Sequence, residues 1–207
     1  ARLLLSYAAE VPESALPARV DGPLPVAERP LDEDALAFRR DDRQFRNVLL
    51  VELPHDDFAH VVVRLFLLAA YQRPLYDALA GAADARLAAI ADKARKEVAY
   101  HLDHAGTWLR RLGDGTEESH RRAQEAVDAC WPYTGELFTP LAGPVDPATL
   151  RGPWEATVAP ALAAATLTRP ADGWAPSGGR QGMHTEHLGY LLAEMQSLHR
   201  AHPGARW

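Results

Sequence analysis

Apolar residues recur at three- and four-residue intervals along most of this chain, the spacing that places them on one face of an α-helix. The clearest case is residues 84–112, with apolar positions at 87, 90, 91, 94, 98, 102, 105, 108, 109 and 112. Further helices are predicted at about 57–79, 117–138, 154–167 and 183–201, with short helical segments at 32–45 and 47–53. No segment alternates apolar and polar residues as a half-buried strand would. The pattern predicts an all-α chain.

Helix-breaking residues divide this pattern into an ordered series of helices. Gly113 and Gly115 end the long helix, and Pro132 breaks the one after it. Five prolines between positions 11 and 30 remove backbone donors, so that stretch is predicted to be a proline-rich linker. Residues 1–10 lack an amino-terminal cap and are interpreted as the end of a helix already under way, so the first helix is expected to be truncated. We predict a single domain over residues 1–207, a helical bundle of the ferritin-like kind.

Composition narrows the classes of protein that fit this bundle. The chain has 207 residues, with 28 acidic and 22 basic side chains and a formal charge of −6, which argues against a basic nucleic-acid binder. No uninterrupted apolar stretch is long enough to span a membrane. Cys130 is the single cysteine, which excludes an internal disulfide and a cysteine-rich zinc site. We therefore expect a cytoplasmic protein that binds neither nucleic acid nor membrane.

A ferritin-like bundle can hold two iron ions between its helices. Such a site needs a Glu from each of two helices and a Glu-x-x-His from each of two others, all facing inward. On the helix at 84–112, Glu97 and His101 lie near the apolar stripe, but Tyr100 stands where that motif requires His. The helix at 57–79 has no carboxylate between Phe58 and Tyr76, so its bridging Glu is absent. The ligand set is incomplete.

The last predicted helix shows the same deficiency. Its apolar stripe consists of Leu188, Leu191, Leu192, Met195 and Leu198. His184 falls within this stripe, His187 lies at its edge, and Glu186 lies on the opposite face. A His therefore stands where a di-iron site requires Glu.

Three interpretations of these positions remain open. We favour a degenerate site with no catalytic, cofactor-binding or metal residues, in which His101 and His184 are buried imidazoles bonded to a carbonyl or carboxylate. The alternative is a metal-dependent oxidase that uses Glu97, His101, His184 and His187 in an unusual constellation. A free-standing helical binding module with a small ligand in its core is the third.

Three stretches of the chain have a distinctive sequence: Leu36–Glu52, then Lys96–Leu102 with Trp108–Thr116, and Gly182–Gly189 with Leu192–Gln196 through to Trp207. Together they resemble PaaC, the family of C subunits of the multicomponent bacterial phenylacetyl-CoA 1,2-epoxidase. The resemblance runs over the whole chain. It implies a ferritin-like fold and a place in aerobic phenylacetate degradation.

The resemblance also implies a division of labour between subunits. A related A subunit holds the di-iron centre and binds the acyl-CoA, while the C subunit is a degenerate partner that pairs with it and supports it. A B subunit and a reductase complete the assembly, which inserts one oxygen atom of O₂ into the aromatic ring as an epoxide. No metal ligands carry over to this chain, which is expected to hold no cofactor and to form a hetero-oligomer or to self-associate. A bulky apolar face would then be an interface.

Overall fold

A computed structural model describes residues 2–11, 32–202 and 205 of the chain. Every regular element within these residues is helical, which confirms the all-α, ferritin-like bundle prediction. The α-helices are α1 (Arg2–Glu10), α2 (Glu33–Phe38), α3 (Phe58–Leu79), α4 (Ala85–Gly113), α5 (Glu117–Cys130), α6 (Arg151–Ala164) and α7 (Glu186–Ala201). Short 3₁₀ helices occur at Asp42–Gln44, Leu49–Glu52, Trp131–Phe138, Pro147–Leu150 and Gly179–Gln181. Beyond Val11, the predicted proline-rich linker at 11–30 lies outside the described residues.

The chain divides into two compact units, one of which is built from two separate stretches of sequence. Unit 1 comprises Ala1–Glu52 and Ser177–Trp207, and unit 2 comprises Leu53–Pro176. The expectation of one domain over residues 1–207 stays a prediction. No helix in the described part of the chain is both long and apolar enough to cross a bilayer.

The long helices α3 and α4 pack against each other in unit 2. Asp57 caps α3 by accepting a hydrogen bond from the His60 backbone at 3.0 Å. All ten predicted apolar positions of α4 are buried or half-buried, which confirms its stripe. The predicted break at Pro132 is present, since α5 ends at Cys130 and a 3₁₀ helix follows.

An aromatic cluster fills the core of unit 2. Trp154 is fully buried and lies 5.5 Å from the Trp131 ring and 5.3 Å from the Phe138 ring, measured between centroids. Its indole N–H donates to the Leu67 carbonyl at 3.0 Å, which satisfies its one polar atom. This cluster links α3 and α6 to the 3₁₀ helix that follows α5.

The end of α4 lies very close to the end of α6. A Cβ placed on Gly113 would overlap the Ala165 carbonyl oxygen and lie 3.0 Å from both the carbonyl carbon and Cβ of Ala165. The Gly113 carbonyl accepts hydrogen bonds from His120 Nδ1 at 2.7 Å and from the Thr166 hydroxyl at 3.0 Å. Only glycine fits this contact.

In unit 1, α2 and α7 lie side by side, and aromatic and polar contacts supplement a small apolar core. The Phe38 ring stacks on His199 with centroids 4.2 Å apart, and Gln196 donates to the Arg40 carbonyl at 2.8 Å. The buried face of α7 consists of Leu188, Leu192 and the amide of Gln196.

This packing corrects the predicted stripe of the last helix. Leu188 and Leu192 are buried as expected, but three other members are exposed: Leu191 by 46%, Met195 by 37% and Leu198 by 50%. On a helix these three lie on one side of the buried row Leu188–Leu192–Gln196. Only part of the apolar face of α7 is therefore covered in the described chain.

Candidate functional site

The predicted positions on α4 do not form a ligand set. Glu97 is exposed, and Tyr100 is 67% exposed. The Tyr100 ring stacks on His104 at 6.0 Å and meets His101 edge-on at 6.3 Å. His101 is half-buried rather than buried, because it lies at the margin of the stripe. A metal ion between the helices requires carboxylates that point inward, and Glu97 does not.

The structure moves His184 out of the last helix. Because α7 begins at Glu186, His184 lies on the segment that enters it, with its side chain only 4% exposed. Its Nδ1 is 2.6 Å from Oε1 of Glu52, and its Nε2 is 3.1 Å from the Phe45 carbonyl oxygen. The expectation of a buried imidazole bonded to a carbonyl or carboxylate is confirmed for His184.

Glu52 is the buried centre of a polar network in unit 1. It ends the 3₁₀ helix Leu49–Glu52, and its side chain has no exposed surface. Oε1 accepts from Asn47 Nδ2 at 2.8 Å as well as facing His184 Nδ1. Oε2 accepts from the Thr185 amide and the Thr185 hydroxyl, both at 2.8 Å. Four groups thus converge on one carboxylate, which meets the requirement that a buried charge be bonded.

This network does not fit a metal site. Both ring nitrogens of His184 face oxygen acceptors of the protein, so neither has a lone pair directed at an ion. His187 is half-buried on α7, and Glu186 is exposed. Among the residues that the structure describes, no three His, Cys, Asp or Glu side chains form a group that could hold a metal. The residues present therefore do not fit a di-iron centre, although its absence from the protein stays a prediction.

Sequence reasoning missed Glu52, Asn47 and Thr185 as site residues. The one available signal is the position of Glu52, which directly follows the apolar run at 48–51. A Glu is usually found on the surface, so a Glu next to such a run is unusual. Nothing in local sequence pairs Glu52 with His184, which lies 132 residues away.

The thiol of Cys130 is buried and unsuited to nucleophilic chemistry. Burial raises its pKa to about 11, and the nearby Arg64 guanidinium offsets only part of that shift. At neutral pH the side chain is therefore the unreactive thiol. This agrees with the absence of an adjacent activating His in the sequence.

The exposed members of the α7 stripe form an apolar surface on unit 1. We refer to Leu191, Met195 and Leu198 as the α7 surface. Tyr190, on the same helix, is 67% exposed. Contiguous exposed apolar side chains on a helix are typical of a surface that binds another protein.

Comparison with known proteins identifies the family of this chain. The model of a family described as "Phenylacetic acid catabolic protein", PaaA_PaaC, matches residues 1–207. One relative is the C subunit of 1,2-phenylacetyl-CoA epoxidase from Escherichia coli (strain K12), with 42% identity over 216 residues. That match covers 100% of this chain and 81% of the relative. This chain therefore belongs to the phenylacetic acid catabolic protein family.

Proposed function

We propose that this chain is the C subunit of a phenylacetyl-CoA 1,2-epoxidase and that it pairs with and supports a catalytic A subunit. The 42% identity across the whole chain to the C subunit of such an enzyme supports this assignment. The observation that carries the non-catalytic role is the state of the candidate ligands. Glu97 faces solvent, and His184 has both ring nitrogens bonded within the protein.

Ring epoxidation requires a centre that activates O₂, and in this proposal the di-iron centre belongs to the A subunit. This chain contributes no ligand and no cofactor of its own. Its role is to bind the A subunit within an assembly that also contains a B subunit and a reductase. The alternative of a metal-dependent oxidase would need Glu97, His101, His184 and His187 as ligands.

Metal content and reconstitution test this assignment directly. The purified full chain should contain far less than one equivalent of iron or manganese by elemental analysis. Added to the A and B subunits and the reductase, it should restore epoxidation of phenylacetyl-CoA. Stoichiometric iron or manganese that resists chelation, or turnover that does not depend on this chain, would overturn the proposal.

Glu97→Gln separates the two functions within the assembled complex. Because Glu97 is exposed on α4, losing its charge should leave turnover of the reconstituted complex within about twofold of the parent, as for most surface substitutions. If Glu97 were a metal ligand, the same change would lower activity by about 100-fold or more, since the ligand would lose its charge. Such a loss would favour the oxidase.

The α7 surface is the part of unit 1 that we assign to the A subunit, because an obligate partner covers apolar surface that a lone chain leaves in water. A Leu191→Ser, Leu198→Ser double variant should bind the A subunit at least about tenfold more weakly in a titration, which corresponds to about 1.4 kcal/mol. Ser197→Ala, at an exposed position of the same helix, is the matched control and should bind like the parent. Equal binding by the double variant would show that the A subunit binds another surface.

A further inference from the structure

Unit 1 has to be closed by contacts between stretches that are far apart in the chain. Residues 53–176 separate its two parts and form unit 2, so the two parts of unit 1 are joined only by contacts between residues distant in sequence. The apolar core that joins them is small. The contact between Glu52 and the segment His184–Thr185 joins the two stretches at a buried point, immediately before α7 begins.

The hydrogen bonds of His184 determine how many protons it shares with Glu52. A carbonyl oxygen can only accept, so the 3.1 Å contact with Phe45 requires a proton on Nε2. The 2.6 Å contact between Nδ1 and Oε1 of Glu52 requires a second proton. The pair therefore holds two protons, as an imidazolium with a carboxylate or as a neutral imidazole with a carboxylic acid.

The other partners of Glu52 decide between these two states. Asn47 and Thr185 direct three further donors at its oxygens, and hydrogen bonds of this kind favour the ionised carboxylate. The charged side chains that line the cleft next to His184 are Asp42, Arg43, Arg46 and Glu186. With two acids and two bases they add little net charge. Glu52 is thus the group that sets the charge of the imidazole.

We propose that His184 is held as a doubly protonated imidazolium, and that its ion pair with Glu52 latches residues 177–202 to residues 32–52. The pair also fixes where α7 begins. Thr185 occupies the N-cap position, yet its hydroxyl makes no capping bond to the helix and donates to Glu52 instead. The carboxylate lies beside the first turn, where the helix dipole favours a negative charge. The latch rests on unit 1 alone and holds whether or not the chain is an epoxidase subunit.

Nuclear magnetic resonance of the full chain tests the protonation state without any substitution. In protein labelled with ¹⁵N, both ring nitrogens of His184 should show the chemical shift of a protonated imidazole nitrogen at pH 7. A His184→Gln sample assigns the signal. An Nδ1 shift typical of an unprotonated nitrogen would overturn the proposal.

Hydrogen exchange tests the latch. In Glu52→Gln an amide NH₂ replaces one of the two carboxylate oxygens. In one orientation of the Gln amide this NH₂ faces the Thr185 N–H, and in the other it faces the Asn47 NH₂, so a donor meets a donor in both cases. Amides of α7 should exchange at least about 100-fold faster in this variant, because removing one member of a buried ion pair leaves the other charge unpaired. The Glu52→Gln, His184→Gln double variant should exchange no faster than the single variants, since both break one interaction.

Two internal references keep this experiment interpretable. Asp41→Asn removes the negative charge of the exposed ion pair with Arg200 at 3.4 Å, which joins the same two stretches of chain, and leaves the Arg200 hydrogen bond to Gln196 in place. It should change exchange in α7 by less than about threefold. Amides of α4 in unit 2 report whether a variant is folded, and they should remain as protected as in the parent. If α7 exchanged no faster in Glu52→Gln than in Asp41→Asn, the proposed ion-pair latch would be overturned.

Discussion

Gly113→Ala is the substitution whose outcome depends most directly on how closely α4 and α6 approach. By helix propensity alone, Ala would stabilise a helical position by up to about 1 kcal/mol relative to Gly. The structure predicts the opposite sign. The new Cβ would overlap the Ala165 carbonyl oxygen and lie 3.0 Å from two Ala165 carbons, whereas carbon atoms pack best at about 3.5–4.0 Å.

Relief of this overlap requires a shift of about 1 Å in one of the two helix ends, judged from those separations. Forced overpacking of this kind costs about 1–3 kcal/mol. The shift would also strain the hydrogen bonds from His120 and Thr166 to the Gly113 carbonyl, each with a net contribution of about 1 kcal/mol. After the gain in helix propensity is subtracted, the free energy of unfolding of Gly113→Ala should be about 2 kcal/mol lower than that of the parent. In a chain of this length this decrease lowers Tm by about 4–8 °C.

Thermal unfolding followed by circular dichroism measures this change, with urea unfolding as an independent check. Gly152→Ala is the matched control, because Gly152 lies near the start of α6 and a Cβ there meets no atom within 4 Å. That variant should unfold at or slightly above the parent temperature. A Gly113→Ala protein as stable as the Gly152→Ala protein would refute the close contact between α4 and α6.

Three further predictions concern unit 2. Trp154→Phe removes a buried indole hydrogen bond and leaves a small void, so it should lower the free energy of unfolding in urea by about 1–3 kcal/mol; Trp174→Phe, at a 79% exposed position, should not, and equal stability of the two would contradict the core assignment. Asp57→Ala should cost about 1 kcal/mol as the N-cap of α3 is lost. Burial raises the pKa of Asp57, but its hydrogen bonds to the side chain and backbone of His60 together lower that pKa by a larger amount, so the net shift is downward. The contribution of Asp57 to the free energy of unfolding should therefore be present at neutral pH and decrease as pH falls through the lowered pKa. A stability difference between the parent and Asp57→Ala that grew on acidification would contradict this. Cys130, with its pKa raised to about 11, should react with a thiol reagent at pH 8 far more slowly in the native protein than in urea, and equal rates would show that it is exposed.

Local patterns in the sequence were sufficient where a helix is covered along its whole apolar stripe. On α4 the ten apolar positions of the three- and four-residue spacing are all buried or half-buried, and Gly113 marked the end of the helix correctly. These features depend on backbone geometry within one helix. They can therefore be read without knowing which element packs against it.

The tertiary structure decided the features that depend on a partner elsewhere in the chain. The sequence shows the full apolar face of α7, but only packing determines that Leu188 is covered and Leu198 is not. In the sequence, Glu52 and His184 are likewise two separate polar residues, 132 positions apart, and only packing shows that they form a pair. The sequence alone determined the helical class of the chain and predicted an incomplete ligand set, because both inferences rest on residue type and spacing. Folding decided which carboxylate meets which imidazole, because a buried charge is stable only where distant donors converge on it.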